Sequence, residues 1–324
     1  MDDSQLRLVV IIINYKTPQL VCYALTSLAG QIDKSCDRAV VVDNKSQDNS
    51  VAEILNFVES KQWTSWVNVI PSEVNGGFSA GNNLGIQSAK AKYYLLLNSD
   101  AFVRDNAINE LLNAAEANPG AGIIGPKLEW SDGQPQTSCF YNLTPWNEFL
   151  KAASTGILSK TLKYFDIHEV AMPICSSPAT PEWISFACVL IQAKVIDDIG
   201  LMDDGYFMYR EDNDYCRRAR NAGWKILYWP LARVVHLNQG YSNSKKIVRL
   251  PAYYYMSRSR YFLKYYGRSG LFAANVLWIL GRGISLLREF IERKQPVVHP
   301  NTWKDIWIGS LSKFDFRVLD KLGR

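Results

Sequence analysis

Short runs of β-branched and aliphatic residues alternate with helical patterns before residue 100, and this alternation constrains the possible folds more than any other feature. The four runs are LVVIIIN (8–14), AVVVD (39–43), WVNVI (66–70) and YYLLLN (93–98). Between the first two, Thr17 and Pro18 mark a helix start, and an apolar stripe at helical spacing follows. Strands that alternate with helices form mostly parallel sheets flanked by helices. We therefore predict an α/β fold with a mostly parallel sheet.

The sequence up to residue 240 contains further candidate strands and one region without a readable pattern. These strands are GIIG (122–125), ISFACVLIQ (184–192), KILYW (225–229) and RVVHL (233–237). Residues 131–182 mix Pro, Ser, Thr and aromatic side chains without a clear period. A stretch of this length between strands predicts a long insertion.

The basic residues are concentrated at the C-terminal end of the chain. The net charge is +5, yet residues 1–240 hold 20 Lys and Arg against 26 Asp and Glu, whereas residues 241–324 hold 16 against 5. A basic tail favours an anionic surface, such as phospholipid headgroups, nucleic acid or an anionic acceptor. Aromatic and basic residues interleave at 253–268, but this pattern is also typical of interfacial helices, and we predict no nucleic-acid partner.

One segment of this tail is apolar enough to raise the question of a membrane. LFAANVLWILGRGISLL (271–287) is 17 residues long and contains Arg282 and two glycines. A spanning helix needs about 20 consecutive apolar residues. The segment is therefore predicted to lie on a membrane surface or to pack on the protein body.

The N-terminus and the cysteines indicate a cytoplasmic protein. MDDSQLRLVVIIIN carries acids where an export signal needs bases, and its apolar run is short, so we predict a first strand there. The six cysteines contain no CxxC pair. Reduced thiols in a cytosolic protein are the simplest interpretation.

Polar residues follow two of the predicted strands at the point where each ends. Asp43 and Asn44 end the second run, and Asn98 and Asp100 end the fourth. Ligands of open parallel sheets bind outside the carboxyl ends of the strands, so these residues are candidates for a binding site. Asp and Asn are also common turn residues, and either pair alone is explained equally well as turn chemistry.

Between them lies the glycine-rich segment NGGFSAGNNLGI (75–86), which leads into a helical pattern. A loop of this composition lets backbone N–H groups approach a phosphate closely. It matches neither GxxxxGK[ST] nor the register of GxGxxG, so by itself it is a weak signal.

The segment YFMYREDNDYCRRARNAGW (206–224) places an acid on an apolar helix face. A helix from about Glu211 buries Tyr215, Cys216, Ala219 and Ala222, and Asp212 lies on the same stripe. Glu211 is explained by the positive end of the helix dipole. A carboxylate on a buried face is costly unless it is paired, hydrogen-bonded or metal-linked. A general base is such a case, because partial desolvation raises its pKa.

His236 ends the last predicted strand and is one of three histidines. A single histidine at a strand end is more often structural than a ligand. With a carboxylate such as Asp100 nearby, it would complete a divalent-cation site.

Taken in order, these motifs resemble the inverting family 2 glycosyltransferases, and in particular their bacterial rhamnosyltransferase-like members that build cell-surface polysaccharides. VVIIINYKTPQ resembles the family's first strand and helix, VVVDNKSQDNS its D-N-x-S segment, and NGGFSAGNNLGI its glycine loop. LLLNSDAFV occupies the place of the DxD motif, YFMYREDNDYCRRARNAGW resembles the E-D segment, and VVHLNQGYS resembles the distal histidine segment. The resemblance covers about residues 8–240.

The resemblance implies a GT-A, Rossmann-like fold with a mixed, mostly parallel sheet. Residues 1–240 would form the catalytic domain, with a nucleotide-sugar half at about 1–128 and an acceptor half at about 129–240. Residues 241–324 would then be a basic amphipathic helical appendage.

The resemblance also implies roles for individual residues. Asp212 would be the catalytic base, Asp100 and His236 would bind Mg²⁺ or Mn²⁺, and Glu211 and Trp183 would lie on the acceptor side. The donor-binding residues would be Asn14, Tyr15, Asp43, Asn44, Asn75, Gly76, Gly77, Asn82, Asn98 and Ser99.

One position departs from the family pattern. The first acid of the DxD motif is Asn98 here, which removes a negative charge near the ribose or the metal. The affinity for the metal would then depend more on the diphosphate.

The implied reaction is direct transfer of a sugar from a nucleoside diphosphate to a hydroxyl, with inversion. L-rhamnose from dTDP-L-rhamnose is the first expectation, and the acceptor would be a surface polysaccharide or a glycan on a polyprenyl diphosphate. Such an acceptor places the enzyme on the inner face of the cell membrane, in peripheral contact with anionic lipid.

Two other functions compete with this one. A nucleotidyltransferase on a similar sheet would show a glycine-rich basic loop after the first strand, whereas this chain has NYKTPQ there. A non-catalytic membrane adaptor would use the basic tail, but it would leave Asp212 on its apolar stripe without a purpose.

Overall fold

A computed structural model describes residues 6–155, 170–237, 249–296 and 298–311. Parts of the predicted insertion, of the histidine segment after Leu237 and of the tail therefore lie outside the described residues. The strands are β1 Leu6–Asn14, β2 Asp37–Asp43, β3 Val67–Pro71, β4 Ala91–Asn98, β5 Ala101–Val103, β6 Ala121–Glu129, β7 Cys139–Phe140, β8 Trp183–Ile184, β9 Cys188–Gln192 and β10 Lys225–His236. The helices are α1 Pro18–Leu28, α2 Ser50–Ser60, α3 Gly77–Gln87, α4 Ala107–Ala117, α5 Pro145–Ala153, α6 Ala193–Ile199, α7 Glu211–Asn221, α8 Ala252–Ile291 and α9 Thr302–Leu311.

Eight of these strands form one mixed sheet in the order β3-β2-β1-β4-β9-β6-β10-β5. The pairs β3–β2, β2–β1, β1–β4 and β6–β10 are parallel, whereas β9 runs antiparallel to β4 and β6. The predicted mixed, mostly parallel sheet is confirmed.

The centre of the sheet is buried on both faces, which explains the uninterrupted apolar runs of its strands. Side chains of β1 alternate between two cores: Val10 and Ile12 face the layer of α1, α2 and α4, and Val9 and Ile11 face the opposite layer. Residues at this position in a sheet contribute most of the hydrophobic stabilisation, at about 25 cal/mol per Å² of apolar surface buried.

The register of the parallel strands places polar residues side by side at one edge. Asn14 pairs with Asp43 across β1 and β2, and Ile13 pairs with Asn98 across β1 and β4. The carboxyl ends of these three strands therefore meet, as the sequence predicts.

Two strand predictions need correction. The run 184–192 is not one strand but two, β8 and β9, which belong to different sheets. The runs 225–229 and 233–237 are one long strand, β10, with a register shift between Trp229 and Arg233 that accommodates Pro230. The end of β10 pairs antiparallel with β5, and His236 lies opposite Ala101.

The unpatterned region contains short regular elements. β7 pairs with β8, and α5 begins with a capping box in which Thr144 and Asn147 bond each other's backbone and side chain. α5 then packs against α8 of the tail, where Gly281 lies against the backbone of Phe149 and Ala153.

The tail is helical, as predicted, but it folds back on itself. α8 breaks at Gly267, whose φ of +66° lies in the left-handed region. The Arg258 guanidinium donates to the Asn275 side chain at 2.8 Å although the residues are 17 positions apart, so the two halves run side by side. We call residues 252–266 the first arm of α8 and residues 268–291 its second arm.

Candidate active site

A buried polar network closes the ends of β1 and β2. Asn14, which is fully buried, donates to the Asp43 carboxylate at 2.6 Å and to the Ser46 hydroxyl at 3.2 Å. Asp43 also accepts bonds from the backbone N–H and the hydroxyl of Ser46. Buried polar groups satisfied in this way hold their loops in a single arrangement. Ser46 was not predicted as a site residue, although the third residue after Asp43 in a turn is a common partner for its carboxylate.

The same edge is joined to the glycine loop by amide groups. Asn44 donates to the Asn75 side chain and to the Gly77 carbonyl, both at 3.0 Å, and the N–H of Gly77 donates to Asn75 at 3.1 Å. Gly76 precedes α3, which begins at Gly77. Asn82 lies further along this helix, is buried, and donates to the Phe78 carbonyl within it.

Gly77 is required by its surroundings as well as by its backbone. Its φ is +79°, and a Cβ there would lie 2.0 Å from the carbonyl oxygen of Phe207. The N–H of Phe78 donates to that same oxygen at 2.7 Å. The glycine loop therefore touches the segment that leads into α7, a contact that the sequence alone does not indicate.

The end of β4 connects to both neighbouring regions. The N–H of Asn98 donates to the Ala187 carbonyl at 2.9 Å, and the Ser99 hydroxyl accepts from Thr17 at 3.1 Å. Thr17 also donates to Asn14, so the ends of β1 and β4 are tied together. Tyr15, in the loop after β1, is 47% exposed, so its ring is open to a ligand.

The structure brings Asp100 and His236 together, as the sequence predicts. The Nε2 atom of His236 lies 3.5 Å from an Oδ of Asp100, and both side chains are mostly buried. The Gln136 side-chain N–H donates to the backbone carbonyl of His236 at 2.6 Å, and the Gln136 side-chain oxygen lies 3.3 Å from the Nδ1 atom of the ring. These two contacts fix the ring. Gln136 comes from the unpatterned region, and nothing in the sequence singles it out.

Carboxylate oxygen and imidazole nitrogen are suitable ligands for Mn²⁺, and the oxygen also suits Mg²⁺. Among the described residues, no third His, Cys, Asp or Glu joins this pair. The donor set therefore fits a cation that takes its remaining ligands from a bound diphosphate and from water.

Asp212 lies in the first turn of α7, where the chain has just passed through two residues with positive φ, Tyr209 and Arg210. Its side chain is partly buried and accepts a bond from the N–H of Asn213 at 2.8 Å. Desolvation raises the pKa of Asp212 to about 6, although that hydrogen bond and the nearby Arg210 act in the opposite direction. A carboxylate with this pKa is ionised at neutral pH and is a stronger base than an exposed one.

Glu211, the first residue of α7, and Trp183, on β8 beside that helix, are both buried. Glu211 is 8% exposed, one of its carboxylate oxygens has no hydrogen-bond partner among the described residues, and burial together with Asp212 raises its pKa well above the ordinary value. A helix-dipole contact alone does not account for this burial, because such contacts need no buried carboxylate. Trp183 stacks on Phe140 at 4.0 Å, and its indole N–H donates to the Tyr141 carbonyl.

The first arm of α8 holds α7 in place. The buried Asp214 carboxylate accepts from Tyr265 at 2.9 Å and pairs with Lys264 at 2.7 Å. Arg217 stacks over the Tyr265 ring at 4.0 Å and donates to Tyr261 at 3.0 Å. The tail thus positions the helix that carries Asp212, which was not expected from a separate basic appendage.

Comparison with known proteins agrees with this architecture. Residues 9–167 match the protein family described as "Glycosyl transferase family 2". The matched residues include the ends of β1, β2 and β4 and the glycine loop. The match ends before α7, so it does not by itself assign a role to Asp212.

Two relatives are named as enzymes that transfer sugars. The chain is 26% identical over 234 residues to the low-salt glycan biosynthesis hexosyltransferase Agl10 of Haloferax volcanii, a match that spans 70% of this chain and 66% of the relative. It is 25% identical over 253 residues to the N-acetylglucosaminyl-diphospho-decaprenol L-rhamnosyltransferase of Mycobacterium tuberculosis, spanning 69% of this chain and 75% of that protein.

Two solved structures share the fold at low sequence identity. GalNAc-T7, solved with UDP, GalNAc and Mn²⁺, superposes with a TM-score of 0.58 at 17% identity, covering 95% of this chain and 58% of that one. The mannosyltransferase PcManGT of Pyrobaculum calidifontis, solved with GDP-Man and Mn²⁺, gives 0.55 at 12% identity, covering 99% and 88%. The matched part of the chain, residues 9–167, belongs to glycosyl transferase family 2, and the chain has the GT-A fold.

Proposed function

We propose that this protein transfers a sugar from a nucleoside-diphosphate donor to a hydroxyl of a glycan or lipid-linked acceptor, with inversion at the anomeric carbon. One observation carries the proposal: the glycine loop at the ends of β1, β2 and β4 contacts, through Phe207, the segment that presents Asp212. This contact supports the proposal that the donor loop and the base, whose pKa is raised, would act at one edge of the molecule.

The donor side would use the network at the strand ends. Asn14, Asp43 and Asn44 would contact the base and ribose together with the exposed Tyr15, and the loop from Asn75 would face the diphosphate and the sugar. Gly76, Asn82, Asn98 and Ser99 would complete this surface. Most of these groups are already held by hydrogen bonds to one another, so little ordering is needed when the donor binds.

Asp100 and His236 would hold Mg²⁺ or Mn²⁺. Both structural neighbours were solved with Mn²⁺, which supports a divalent cation for this fold. The cation would neutralise the charge that develops on the leaving diphosphate. Because Asn98 replaces an acid at the start of this motif, we expect metal binding to depend strongly on the donor.

Asp212 would accept the proton of the acceptor hydroxyl as the new C–O bond forms. General-base catalysis contributes typically about 10²–10⁴-fold to the rate. Attack on the face of the sugar opposite the leaving diphosphate inverts the anomeric carbon. Glu211, at the start of α7, and Trp183, on β8 beside it, would shape the acceptor side.

We further propose L-rhamnose from dTDP-L-rhamnose as the donor sugar and a glycan on a polyprenyl diphosphate as the acceptor. The activity for which the Mycobacterium tuberculosis relative is named supports this choice. The Haloferax volcanii relative supports hexosyl transfer without identifying the sugar. Residues 1–240 would form the catalytic domain, and the tail from 241 would support the acceptor side.

The proposed cellular location is the cytoplasmic face of the membrane. By its length and composition alone, α8 is long and apolar enough to span a membrane. However, Gly267 breaks it, one face of the second arm packs on α5, and Arg282 on that arm is paired with Glu289 at 2.6 Å. A helix with one face on the protein cannot be surrounded by lipid, so we favour insertion of its outer face only.

That outer face is broad and apolar. Leu287 is 61% exposed and Phe290 is 82% exposed, and an apolar groove of about 320 Å³ separates the second arm from α9. The other exposed apolar residues of this surface are Phe272, Ile279, Leu280, Ile284, Leu286, Ile291, Trp303 and Ile308. Exposed patches of this kind mark interaction sites, and the basic composition of the tail suits anionic lipid.

The membrane contact is tested by flotation of the full chain with phosphatidylglycerol vesicles. Leu287→Glu should reduce the bound fraction, whereas Leu231→Glu, at an apolar position of β10 with nearly the same exposure, should not. Equal binding of both variants would refute the assignment of this face.

The transfer reaction is tested with the full chain, Mn²⁺ and a panel of dTDP-, UDP- and GDP-sugars presented with bacterial lipid extracts. Mass spectrometry should detect one added hexose or deoxyhexose, and NMR of the product should show the inverted anomer. Transfer with retention of configuration would contradict the mechanism, and formation of a nucleoside triphosphate from the donor and added pyrophosphate would favour a nucleotidyltransferase.

A further inference from the structure

A second group of charged side chains lies close to Asp212, on α5, on the N-terminal side of α7 and on the first arm of α8. It comprises the cations Lys151, Arg210 and Arg258, the single carboxylate Glu148 and the phenol of Tyr254. When Asp212 and Glu211 are set aside, the group contains three cations and one carboxylate. None of these five residues belongs to the donor network.

Glu148 is already committed to one of the three cations. Arg258 donates to it at 2.8 Å, and both side chains are almost completely buried. Arg258 also donates to Asn275, which joins the two arms of α8. This ion pair is structural. Among the described residues, no carboxylate is hydrogen-bonded to Lys151 or to Arg210.

Lys151 and Arg210 converge on Tyr254. The Lys151 ammonium lies 2.8 Å from the phenol oxygen, and the Arg210 guanidinium lies 6.0 Å from the centroid of the ring. Burial alone would raise the pKa of the Tyr254 phenol, but the two cations outweigh it and the pKa is lowered. The potential at this position is therefore positive.

Two guanidinium N–H groups in the cluster point to a missing acceptor. The Nε of Arg210 and one terminal nitrogen of Arg258 are buried and have no hydrogen-bond partner among the described residues. Such donors are costly to bury when they are unpaired. An anion beside them would satisfy the Arg210 donor and balance its charge.

The segment from Phe207 to Arg210 contacts both the glycine loop and the first arm of α8. The backbone carbonyl of Phe207 accepts from the N–H of Phe78 in the glycine loop. The rings of Phe207 and Tyr209 contact Tyr253, at 5.3 and 6.1 Å between centroids. The contact with the glycine loop is thus made by the backbone of this segment, and the contact with the first arm, which carries Tyr254, is made by its rings.

We propose that Lys151 and Arg210, with the phenol of Tyr254 between them, bind a phosphate or diphosphate group of the acceptor substrate. This inference rests on the proposed function, since it names the chemical feature by which the same site recognises its acceptor. A planar guanidinium and an ammonium are suitable partners for phosphate oxygens. The subsite would hold the anion next to Asp212 and so place the acceptor hydroxyl at the base.

The subsite is tested by binding of decyl diphosphate to the full chain in EDTA, measured by calorimetry. Loss of one charged contact is expected to weaken binding about tenfold in Lys151→Met. Lys151→Arg keeps the charge and should retain most of the affinity. Lys61→Met, which removes an exposed lysine at the end of α2, should bind as the parent does, and uncharged decyl maltoside should bind none of the proteins measurably.

A second binding experiment distinguishes an acceptor phosphate from the donor diphosphate. Binding of dTDP, UDP or GDP in Mn²⁺ should be unchanged in Lys151→Met if the cluster serves the acceptor. The proposal is overturned if Lys151→Met binds decyl diphosphate like the parent, if the parent does not bind it, or if the variant loses nucleoside diphosphate binding to the same extent. Decyl diphosphate binding that depends on Lys151, in a chain that turns over no donor, would contradict the proposed function alone.

Discussion

Replacing Asp212 with asparagine should change the stability of the protein in a way that depends on pH. Burial raises the pKa of this carboxyl from 3.8 to about 6. Below pH 4 the group is protonated in the folded and unfolded states alike, so no cost arises. Between about pH 4 and pH 6 the unfolded chain loses this proton while the folded chain keeps it, and the free energy of unfolding falls as pH rises.

The size of the effect follows from the pKa difference. A rise from 3.8 to about 6 corresponds to about 3 kcal/mol, and water in the cleft reduces this value. Asp212→Asn should therefore match the parent near pH 4 and exceed its stability by up to about 3 kcal/mol at pH 8. Neutralising Asp212 also relieves Glu211, whose pKa is raised by the same neighbour, and this adds to the gap.

Urea unfolding at several pH values between 4 and 8 measures this gap without knowledge of the donor. Asp105→Asn is the control, because it removes one negative charge from an exposed loop, and surface changes of this kind stay within about 0.5 kcal/mol. A gap between Asp212→Asn and the parent that does not grow with pH would refute the desolvated carboxylate.

Three further predictions concern the surrounding structure. Gly77→Ala should destabilise the fold by at least about 1 kcal/mol more than Gly133→Ala in urea unfolding and weaken donor binding, because Gly133 has a similar φ but open space around it. Asp100→Asn should raise the Mn²⁺ concentration needed for donor binding, measured by titration, by at least about tenfold. Arg258→Met should cost about 3–5 kcal/mol of stability by leaving Glu148 buried and unpaired, and the double variant with Glu148→Gln should recover part of this loss.

The sequence predicts the group of polar residues at the strand ends well because local patterns determine it. Runs of apolar residues specify the parallel strands, and the parallel register then places Asn14, Asp43 and Asn98 together without further information. Ser46 could have been added from the turn chemistry of Asp43. The period of α7 correctly predicts that Tyr215, Cys216 and Ala219 are buried and that Asp212 is partly buried. It is wrong for Ala222, which is exposed, and it does not indicate that Glu211 and Asp214 are more deeply buried than Asp212.

Contacts between distant parts of the chain were not predictable in the same way. β5 is three residues long, too short for a pattern, yet its pairing with β10 is what brings His236 to Asp100. Gly267 by itself does not predict from the sequence that the two arms of α8 run side by side. Lys151 and Tyr254 meet across 103 positions, from an unpatterned region and from the tail, so neither residue alone indicates a shared site.

The most direct test of the central claim is to measure turnover and donor binding in the same preparation of Asp212→Asn. With an accepted donor and acceptor in Mn²⁺, the account predicts a fall in kcat of about 10²–10⁴-fold while the Kd for the donor is unchanged. Turnover by Asp212→Asn at the rate of the parent would show that another group takes the proton, and the assignment of the base would be wrong.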